Sequence, residues 1–266
     1  MKRLVSFFCL AVFLIIPAAA VAEKSNAELA KDLSNPVAAL ISVPFQGNWD
    51  RGIGPKDDGS RLTVNIQPVL PFSVNHRLNI ISRTILPLVY QTDIFPGAGD
   101  QSGLGDVLQS LFLSPAKPEE GWIWGAGPVF LLPAGTDDFL SGRKWGAGPT
   151  GVGLKQSGPW TYGMLMNHLW SFAGDSGRPE VNATYFQPFV SYTTRTAWTC
   201  SLDTESSYDW HARQWSAPLI ASVSKLLKIG RRHLSLSGGL RYWLESPESG
   251  PEGLGLRFGV TFLFPK

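Results

Sequence analysis

The last stretch of the chain, Gly253 to Phe264, alternates between apolar and small or polar residues with a period of two. One parity carries Leu254, Leu256, Phe258, Val260, Phe262 and Phe264, and the other carries Gly253, Gly255, Arg257, Gly259 and Thr261, broken only by Leu263. Because successive side chains of a strand point to opposite faces, this pattern predicts a strand with one continuous apolar face. Taken alone, this face could equally line a soluble sandwich. Together with an export signal at the start of the chain, an apolar face this rich in aromatics predicts the closing strand of an outer-membrane β-barrel, with lipid outside and water inside.

The first residues of the sequence predict export. Lys2 and Arg3 precede the apolar run Leu4–Ile16, and Ala20-Val21-Ala22 provides a small-x-small cleavage site, so we interpret residues 1–22 as a secretory signal peptide. The run of roughly thirteen residues is shorter than the about twenty that a membrane-spanning helix needs. We therefore expect passage through the periplasm to the outer membrane of a Gram-negative bacterium. Cleavage leaves Cys200 alone, so no internal disulfide is expected.

The charge balance argues against a nucleic-acid partner. Removing Lys2 and Arg3 from the 23 basic residues leaves 21 basic against 21 acidic residues. A neutral chain lacks the basic surface that phosphate backbones require. With 12% aromatic residues and 28 glycines, the composition favours one all-β domain.

Strand-like segments alternate with turn residues from about residue 39 onward, which predicts an antiparallel barrel of about twelve strands over residues 39–266. The expected strands are Ala39–Gly47, Arg61–Phe72, Leu78–Gln91, Leu104–Leu113, Trp122–Leu132, Trp145–Lys155, Trp160–Phe172, Val181–Thr193, Thr196–Tyr208, Gln214–Lys225, His233–Leu244 and Leu254–Phe264. The fourth also fits an amphipathic helix. Before the barrel, residues 23–38 form a periplasmic segment in which Ser25 and Glu28 have capping-box spacing, consistent with a short helix or a frayed terminus.

The tryptophans fall near the predicted strand ends, as in the aromatic girdles of membrane barrels. A soluble sandwich would instead bury tryptophans near mid-strand. Several prolines inside the predicted strands oppose the barrel, because each one removes a ladder hydrogen bond. The expected girdle residues are Trp122, Trp124, Trp145, Trp160, Trp170, Trp198, Trp210, Trp215 and Trp243.

Four stretches carry a resemblance to a known family: Leu33–Asp50, Trp124–Asp138, Lys144–Gly163 and Pro251–Lys266. The chain resembles a family of Gram-negative outer-membrane proteins labelled as transporters and grouped with the barrel proteins of the meta-pathway of phenol degradation. The resemblance extends over nearly the whole mature chain. It implies an outer-membrane barrel that passes small solutes, among them aromatic ones, and it brings no catalytic or binding residues.

Charged and amide side chains on the inferred inward faces form the candidate lumen lining, since an arginine facing lipid near the midplane costs about 2 to 4 kcal/mol. Asp203 and Glu205 make the best acidic pair. They could select solutes by charge, or form a structural ladder that fills a narrow lumen. The expected lumen-lining residues are Asn65, Gln67, Arg83, Asp203, Glu205, Arg241 and Arg257.

Enzyme chemistry is not expected. His168 and Ser171 are three residues apart, so a strand would place them on opposite faces. No His or Cys cluster has metal-ligand spacing, and no cofactor is expected. The sequence thus favours a passive channel, with a non-transporting envelope barrel as the alternative and an outer-membrane hydrolase as the weaker one. Expected partners are outer-membrane lipid, small solutes and the outer-membrane assembly machinery, although Pro265 and Lys266 follow the terminal aromatic residue that outer-membrane proteins usually end on.

Overall fold

The computed structural model describes residues 24–265, so the predicted signal peptide, residues 1–22, lies outside the described residues. The described chain has one helix followed by strands only. The elements are α1 (Asn26–Leu33), β1 (Ile41–Ile53), β2 (Gly59–Ile66), β3 (Val69–Ser73), β4 (Leu78–Thr92), β5 (Gln101–Leu104), β6 (Val107–Pro115), β7 (Trp122–Leu132), β8 (Lys144–Ser157), β9 (Trp160–Gly174), β10 (Asn182–Thr193), β11 (Trp198–Thr204), β12 (Ser206–Asp209), β13 (Gln214–Ile229), β14 (Arg232–Glu245) and β15 (Leu254–Phe264).

The strands form a closed antiparallel barrel in which each strand pairs with its neighbours in the sequence. The pairs β2 and β3, β5 and β6, and β11 and β12 are each one barrel strand with an interruption, so the wall has twelve strands. Closure comes from β15 and β1, which pair from Ile41 opposite Phe264 to Trp49 opposite Leu256. The predicted twelve-stranded barrel is confirmed. Its fourth member is a strand, not the helix that the sequence also allowed.

The apolar face of the wall points outward. On β15, Leu254, Leu256 and Phe258 are 47–49% exposed, whereas Arg257 between them is 8% exposed. The other strands show the same arrangement, in which large apolar side chains are exposed on the outside of the barrel and polar side chains are enclosed. Such a wall matches hydrocarbon outside and water inside, as in a membrane barrel. Among residues 24–265, no helix has the length and apolar character needed to cross a membrane.

The prolines inside strands lie at gaps in the backbone hydrogen-bond pairing between neighbouring strands. Pro128 and Pro149 face each other across β7 and β8. The pairing of β6 with β7 skips residues 127–128, and the pairing of β8 with β9 skips residues 148–149, so neither missing N–H breaks a continuous ladder. Pro68 falls in the break between β2 and β3, and Pro218 sits at a register shift. Local irregularities in the wall thus accommodate these prolines.

Aromatic side chains line both rims on the outside. One rim has exposed Trp122, Trp160 and Trp198, and Lys155 and Lys225 each place an ammonium group 5.2 Å from a tryptophan ring centre, over Trp122 and Trp198 respectively. Tryptophans near both strand ends fit the two interfaces of a bilayer, because an indole has an apolar body and one polar N–H group. The exposed tryptophans of the predicted girdle are Trp122, Trp124, Trp145, Trp160, Trp170, Trp198, Trp210 and Trp215.

The N-terminal segment folds into the mouth of the barrel at the end where β1 begins. The predicted capping box forms, with Glu28 N–H donating to Ser25 Oγ and Ser25 N–H donating to Glu28. Hydrogen bonds from the Ser25 hydroxyl and the Ser25 N–H to the Glu28 carboxylate lower the pKa of this exposed carboxyl. Helix α1 buries Leu29 against Leu226 and Leu263, which belong to the inner wall. The segment is therefore held inside the mouth by apolar packing.

Lys31 ties the same segment to the wall. Its Nζ donates to Gly158 O at 2.8 Å, and its backbone carbonyl accepts from Gln156 Nε2 at 3.1 Å. Connections at this end include the short turns 158–159 and 230–231, whereas the opposite end has residues 93–100, 133–143 and 246–253. Long loops at one end and short turns at the other are typical of outer-membrane barrels, whose short turns are periplasmic.

We predict that an arginine on the outer wall destabilises the barrel according to its depth. Val223 is half-exposed near the middle of β13, and Leu244 is exposed at the rim end of β14. Val223→Arg should lower the free energy of unfolding in lipid vesicles by about 2–4 kcal/mol, and Leu244→Arg by about 0–1 kcal/mol. Denaturant titration monitored by tryptophan fluorescence measures both, and equal losses at the two depths would contradict the membrane-facing assignment.

Candidate lumenal site

The interior of the barrel has a charged side and an apolar side. The charged side is built by β1, β2, β4, β11, β14 and β15, and the apolar side by β4 and β6 to β10. Both follow from strand alternation, because the residues between the outward apolar ones must point inward. The sequence thus sets the character of the interior strand by strand.

Arg257 is the centre of the charged side. Its Nη2 lies 2.5 Å from Glu205 Oε2, its Nη1 lies 3.9 Å from Asp203 Oδ2, and its Nε donates to Asn48 Oδ1 at 2.8 Å. Arg257 is 8% exposed, so an unpaired guanidinium there would be costly. Two carboxylates and an amide oxygen therefore balance one buried cation.

Arg241 extends these contacts toward the long-loop end. Its Nη1 lies 3.6 Å from Glu205 Oε2 and its Nε lies 3.2 Å from Asp50 Oδ1. Glu205 thus bridges two arginines that lie on neighbouring strands, β14 and β15. We name Asp50, Asp203, Glu205, Arg241 and Arg257 the charge ladder. Its geometry brings four of the predicted lumen residues together.

Arg83 stands beside the ladder without joining it. Its Nη2 donates to Gln67 Oε1 at 3.0 Å, and within residues 24–265 no carboxylate lies within ion-pair distance of it. Gln67 is buried, and Asn65, on the same inward parity of β2, lies opposite Gln46. Arg83 therefore offers a positive charge to the enclosed space that no protein carboxylate neutralises directly.

The apolar side faces this charged side. Its buried members come from β4, β6, β8 and β9, and Val37 of the N-terminal segment packs among them. Phe189 and Tyr185 of β10 cover its edge. The residues of this apolar cluster are Val37, Ile81, Phe112, Val152, Leu154 and Leu165.

A cavity of about 300 Å³ lies between the N-terminal segment and the charge ladder. Asp203, Glu205 and Arg257 line one end together with Arg83, and residues 30–40 form the floor at the other. Serines of β13 and β14, such as Ser222 and Ser237, contribute hydroxyl groups along the wall. The cavity is large enough for a small organic molecule or several waters.

The loop 133–143 enters the barrel from the opposite end and is fixed there by Asp106. Asp106 Oδ1 accepts from Ser141 Oγ at 2.6 Å and from Gly135 N–H at 3.2 Å, and Oδ2 accepts from Gly142 N–H at 2.7 Å. Gly103, on the inward face of β5, lies so close to Thr136 that an added Cβ would fall 2.2 Å from its Oγ1. One carboxylate thus anchors this loop over the long-loop mouth.

An ion pair outside the charge ladder lies in the barrel wall beside that loop. Lys144 is 3% exposed and its Nζ lies 2.7 Å from Glu180 Oε1 in the connection between β9 and β10. The hydrogen bonds from Lys144 and Ser171 hold the pKa of the Glu180 carboxyl below its usual value. Because that pKa is lowered by folding, the contribution of this pair to stability is present at neutral pH and is lost as the pH falls into the acidic range.

Trp243 differs from the other tryptophans that the sequence predicts for the girdle. Its indole Nε1 donates to Asp50 Oδ1 at 2.9 Å, and the guanidinium of Arg241 stacks on its ring at 5.4 Å. Trp243 shares the inward parity of Arg241, so it belongs to the interior rather than to the lipid-facing rim. Asn48 and Asp50 are functional residues outside the predicted lumen lining, although their alternation with Trp49 marks them as inward. Asp106 is another, and it lies in the break between β5 and β6, where the alternation is interrupted.

No hydrolase arrangement is formed by His168 and Ser171. His168 lies on the outward face of β9, whereas Ser171 Oγ hydrogen-bonds Glu180 and Val181. The part of the chain that the structure describes also has no group of three His, Cys, Asp or Glu residues that could hold a metal ion.

Comparison with solved structures decides the fold type. The chain is similar to an outer membrane channel from Pseudomonas putida F1, with a TM-score of 0.67 and 17% identity over 86% of this chain and 96% of that one. The fold is that of an outer-membrane β-barrel. Outer membrane phospholipase A from Escherichia coli is also similar, with a TM-score of 0.52 and 12% identity over 90% of this chain and 97% of that one. No protein-family model and no curated protein matches the sequence.

We predict that the contributions of Asp203 and Glu205 to stability follow their distances from Arg257. Glu205→Gln should lower the free energy of unfolding by about 1.5–3 kcal/mol, because it weakens a short charge-assisted hydrogen bond. Asp203→Asn should cost less than half of that, because its oxygen lies 3.9 Å from Arg257. Denaturant unfolding in vesicles measures both variants, and a larger loss for Asp203→Asn would contradict this assignment.

Proposed function

We propose that this protein is a passive outer-membrane channel for small solutes. The observation that carries the proposal is a cavity lined by charged side chains of the barrel wall and by Val69 and Phe189, which pack against the apolar cluster. A structural core alone would not need a serine-lined space beside Arg83, which has no carboxylate within ion-pair distance among residues 24–265. Both mouths are narrowed by the chain's own segments, which suits a restricted path rather than a wide pore.

The solutes that fit best are small organic molecules with an apolar body and a polar or anionic group. Val69 and Phe189 would contact the apolar body, while Arg83 and the serines would receive the polar group. Aromatic acids belong to this class, in line with the resemblance of the sequence to outer-membrane transporters linked with phenol degradation. The similarity to a solved outer membrane channel supports the same kind of role.

The purified protein should raise the conductance of planar lipid bilayers, and Arg83→Gln should shift its ion preference toward cations. The physical reason is that Arg83 lines the cavity and that no carboxylate of the described residues lies within ion-pair distance of it. The reversal potential in a salt gradient measures this shift. Arg195→Gln is the matched control, because it removes the same charge from an exposed turn and should leave the reversal potential unchanged.

An electrically silent wild type that also fails to release small solutes from liposomes would overturn the channel proposal. Liposome swelling with sugars, amino acids and aromatic acids tests solute passage directly. Aromatic acids should enter faster than sugars of similar size, because both sides of the cavity can contact them.

A second candidate is a non-transporting envelope barrel with a filled lumen. The packing of Leu29 and Val37 inside the barrel favours it, since these residues occupy space that a solute would need. The two candidates differ in the effect of deleting residues 24–38. Deletion should increase conductance strongly in a channel narrowed by this segment, whereas a lumen filled by the charge ladder would stay closed.

A further inference from the structure

A shallow groove runs along the lipid-facing side of β8 and β9. Its floor is formed by Pro149, Gly151 and Gly153 of β8, which lack long side chains, and Met164 and Met166 of β9 stand beside it. The groove has a volume of about 560 Å³. From residue 149 to residue 153 the strand rises roughly 13 Å, so the groove is long and narrow.

The groove floor is open where a side chain would normally be. A Cβ built on Gly153 meets no atom within 4 Å, and one on Gly151 meets only Gly125 O at 3.8 Å. Elsewhere on the outer wall, neighbouring strands present Leu, Phe and Trp at such positions. The surrounding lipid must therefore fill this depression.

One end of the groove is polar although it faces the membrane. His168 Nδ1 lies 2.7 Å from Thr184 Oγ1 on the neighbouring strand β10, and Trp210 Nε1 donates to the same Oγ1 at 2.9 Å. Both His168 and Thr184 line the groove. Exposed Trp170, two residues from His168, places this end near the aromatic rim at the long-loop side.

The hydrogen-bond chain favours one tautomer of His168, the one in which Nδ1 accepts from Thr184 Oγ1. An indole N–H can only donate, so Thr184 Oγ1 accepts from Trp210, and its single O–H is free to donate to His168 Nδ1. A neutral imidazole that accepts at Nδ1 carries its proton on Nε2. His168 Nε2 is buried and has no hydrogen-bond partner among residues 24–265. An N–H left unpaired beside hydrocarbon is costly.

We propose that this groove is a binding site for one esterified acyl chain of a membrane lipid. The chain lies over Gly151 and Gly153, and its ester carbonyl accepts the hydrogen bond from His168 Nε2. Met166, which is 41% exposed and flexible, lies beside His168 and can move to admit the carbonyl. This site is outside the barrel and does not depend on the proposed channel.

An ester-linked lipid fits better than other occupants for two reasons. The groove lies on the wall that lipid surrounds, so acyl chains are present at high local concentration. Its lining residues include no charged side chain, so nothing in it would attract a free carboxylate or phosphate group. A neutral carbonyl oxygen is the acceptor that matches one neutral imidazole N–H.

The test compares ester-linked dioleoyl phosphatidylcholine with its ether-linked analogue, which lacks the carbonyl groups. Native mass spectrometry of the protein in detergent, titrated with each lipid, gives the bound fraction. Wild type should retain one ester lipid with roughly three- to tenfold higher affinity than the ether lipid, the range expected for one hydrogen bond. His168→Phe should bind both lipids equally, because it keeps the apolar contact and removes the donor.

Filling the groove should abolish retention of the lipid. Gly153→Leu places a side chain where the acyl chain would lie, and no atom lies within 4 Å of the new Cβ, so the barrel should still fold. Gly238→Leu is the matched control. Gly238 is also a lipid-facing glycine whose added Cβ meets nothing within 4 Å, but it lies on β14, away from the groove.

The expected result is loss of the retained lipid in Gly153→Leu and wild-type retention in Gly238→Leu, with both variants keeping the wild-type gel shift on heating. Equal retention by Gly153→Leu and wild type would overturn the proposal. Equal affinity of the wild type for ester and ether lipids would overturn the role of His168.

Discussion

The pairing of β15 with β1 is the constraint on which the rest of this structure depends. Hydrocarbon cannot hydrogen-bond an exposed strand edge, so a sheet can span a membrane only when its first and last strands meet. The ladder from Ile41 opposite Phe264 to Trp49 opposite Leu256 provides this closure. Once the sheet is closed, strand alternation determines the environment of each side chain, because every second residue faces lipid and the others share one enclosed space. The apolar outer wall and the charged interior are two results of the same closure.

The interior then has to accommodate charges that cannot face lipid. Arg257 and Arg241 on adjacent strands would repel each other, and Glu205 lies between them within ion-pair distance of both. Asp50 and Asn48 of β1 contact Arg241 and Arg257, respectively. The charge ladder therefore stabilises the pairing of β15 with β1, and that pairing holds the ladder together. The charge ladder occupies one side of the interior, and the apolar cluster occupies the other. An interior divided in this way is the physical basis of the proposed selectivity for small molecules with an apolar body and a polar group.

The sequence predicts much of this architecture because alternation is a local signal. The strand number, the outward face of β15 and the inward direction of Arg257 follow from residue parity alone. The same parity places Trp243 inside with Arg241, although its position near a strand end predicts a girdle residue. The anchoring of loop 133–143 by Asp106 could not be predicted, since the break between β5 and β6 interrupts the pattern. The docking of α1 depends on tertiary contacts between Leu29 and distant strands, which no local pattern encodes.

The central claim is that adjacent residues of one strand face water and lipid in turn. Cysteine accessibility on β14 tests it most directly, in a background in which the lipid-facing Cys200 is replaced by serine. Ser237 lines the cavity and Leu236 is 43% exposed on the outer wall. In lipid vesicles, a charged, membrane-impermeant thiol reagent should modify Ser237→Cys and leave Leu236→Cys unmodified, because the thiolate needed for reaction forms in water and not in hydrocarbon. Modification of Leu236→Cys with protection of Ser237→Cys would contradict the account.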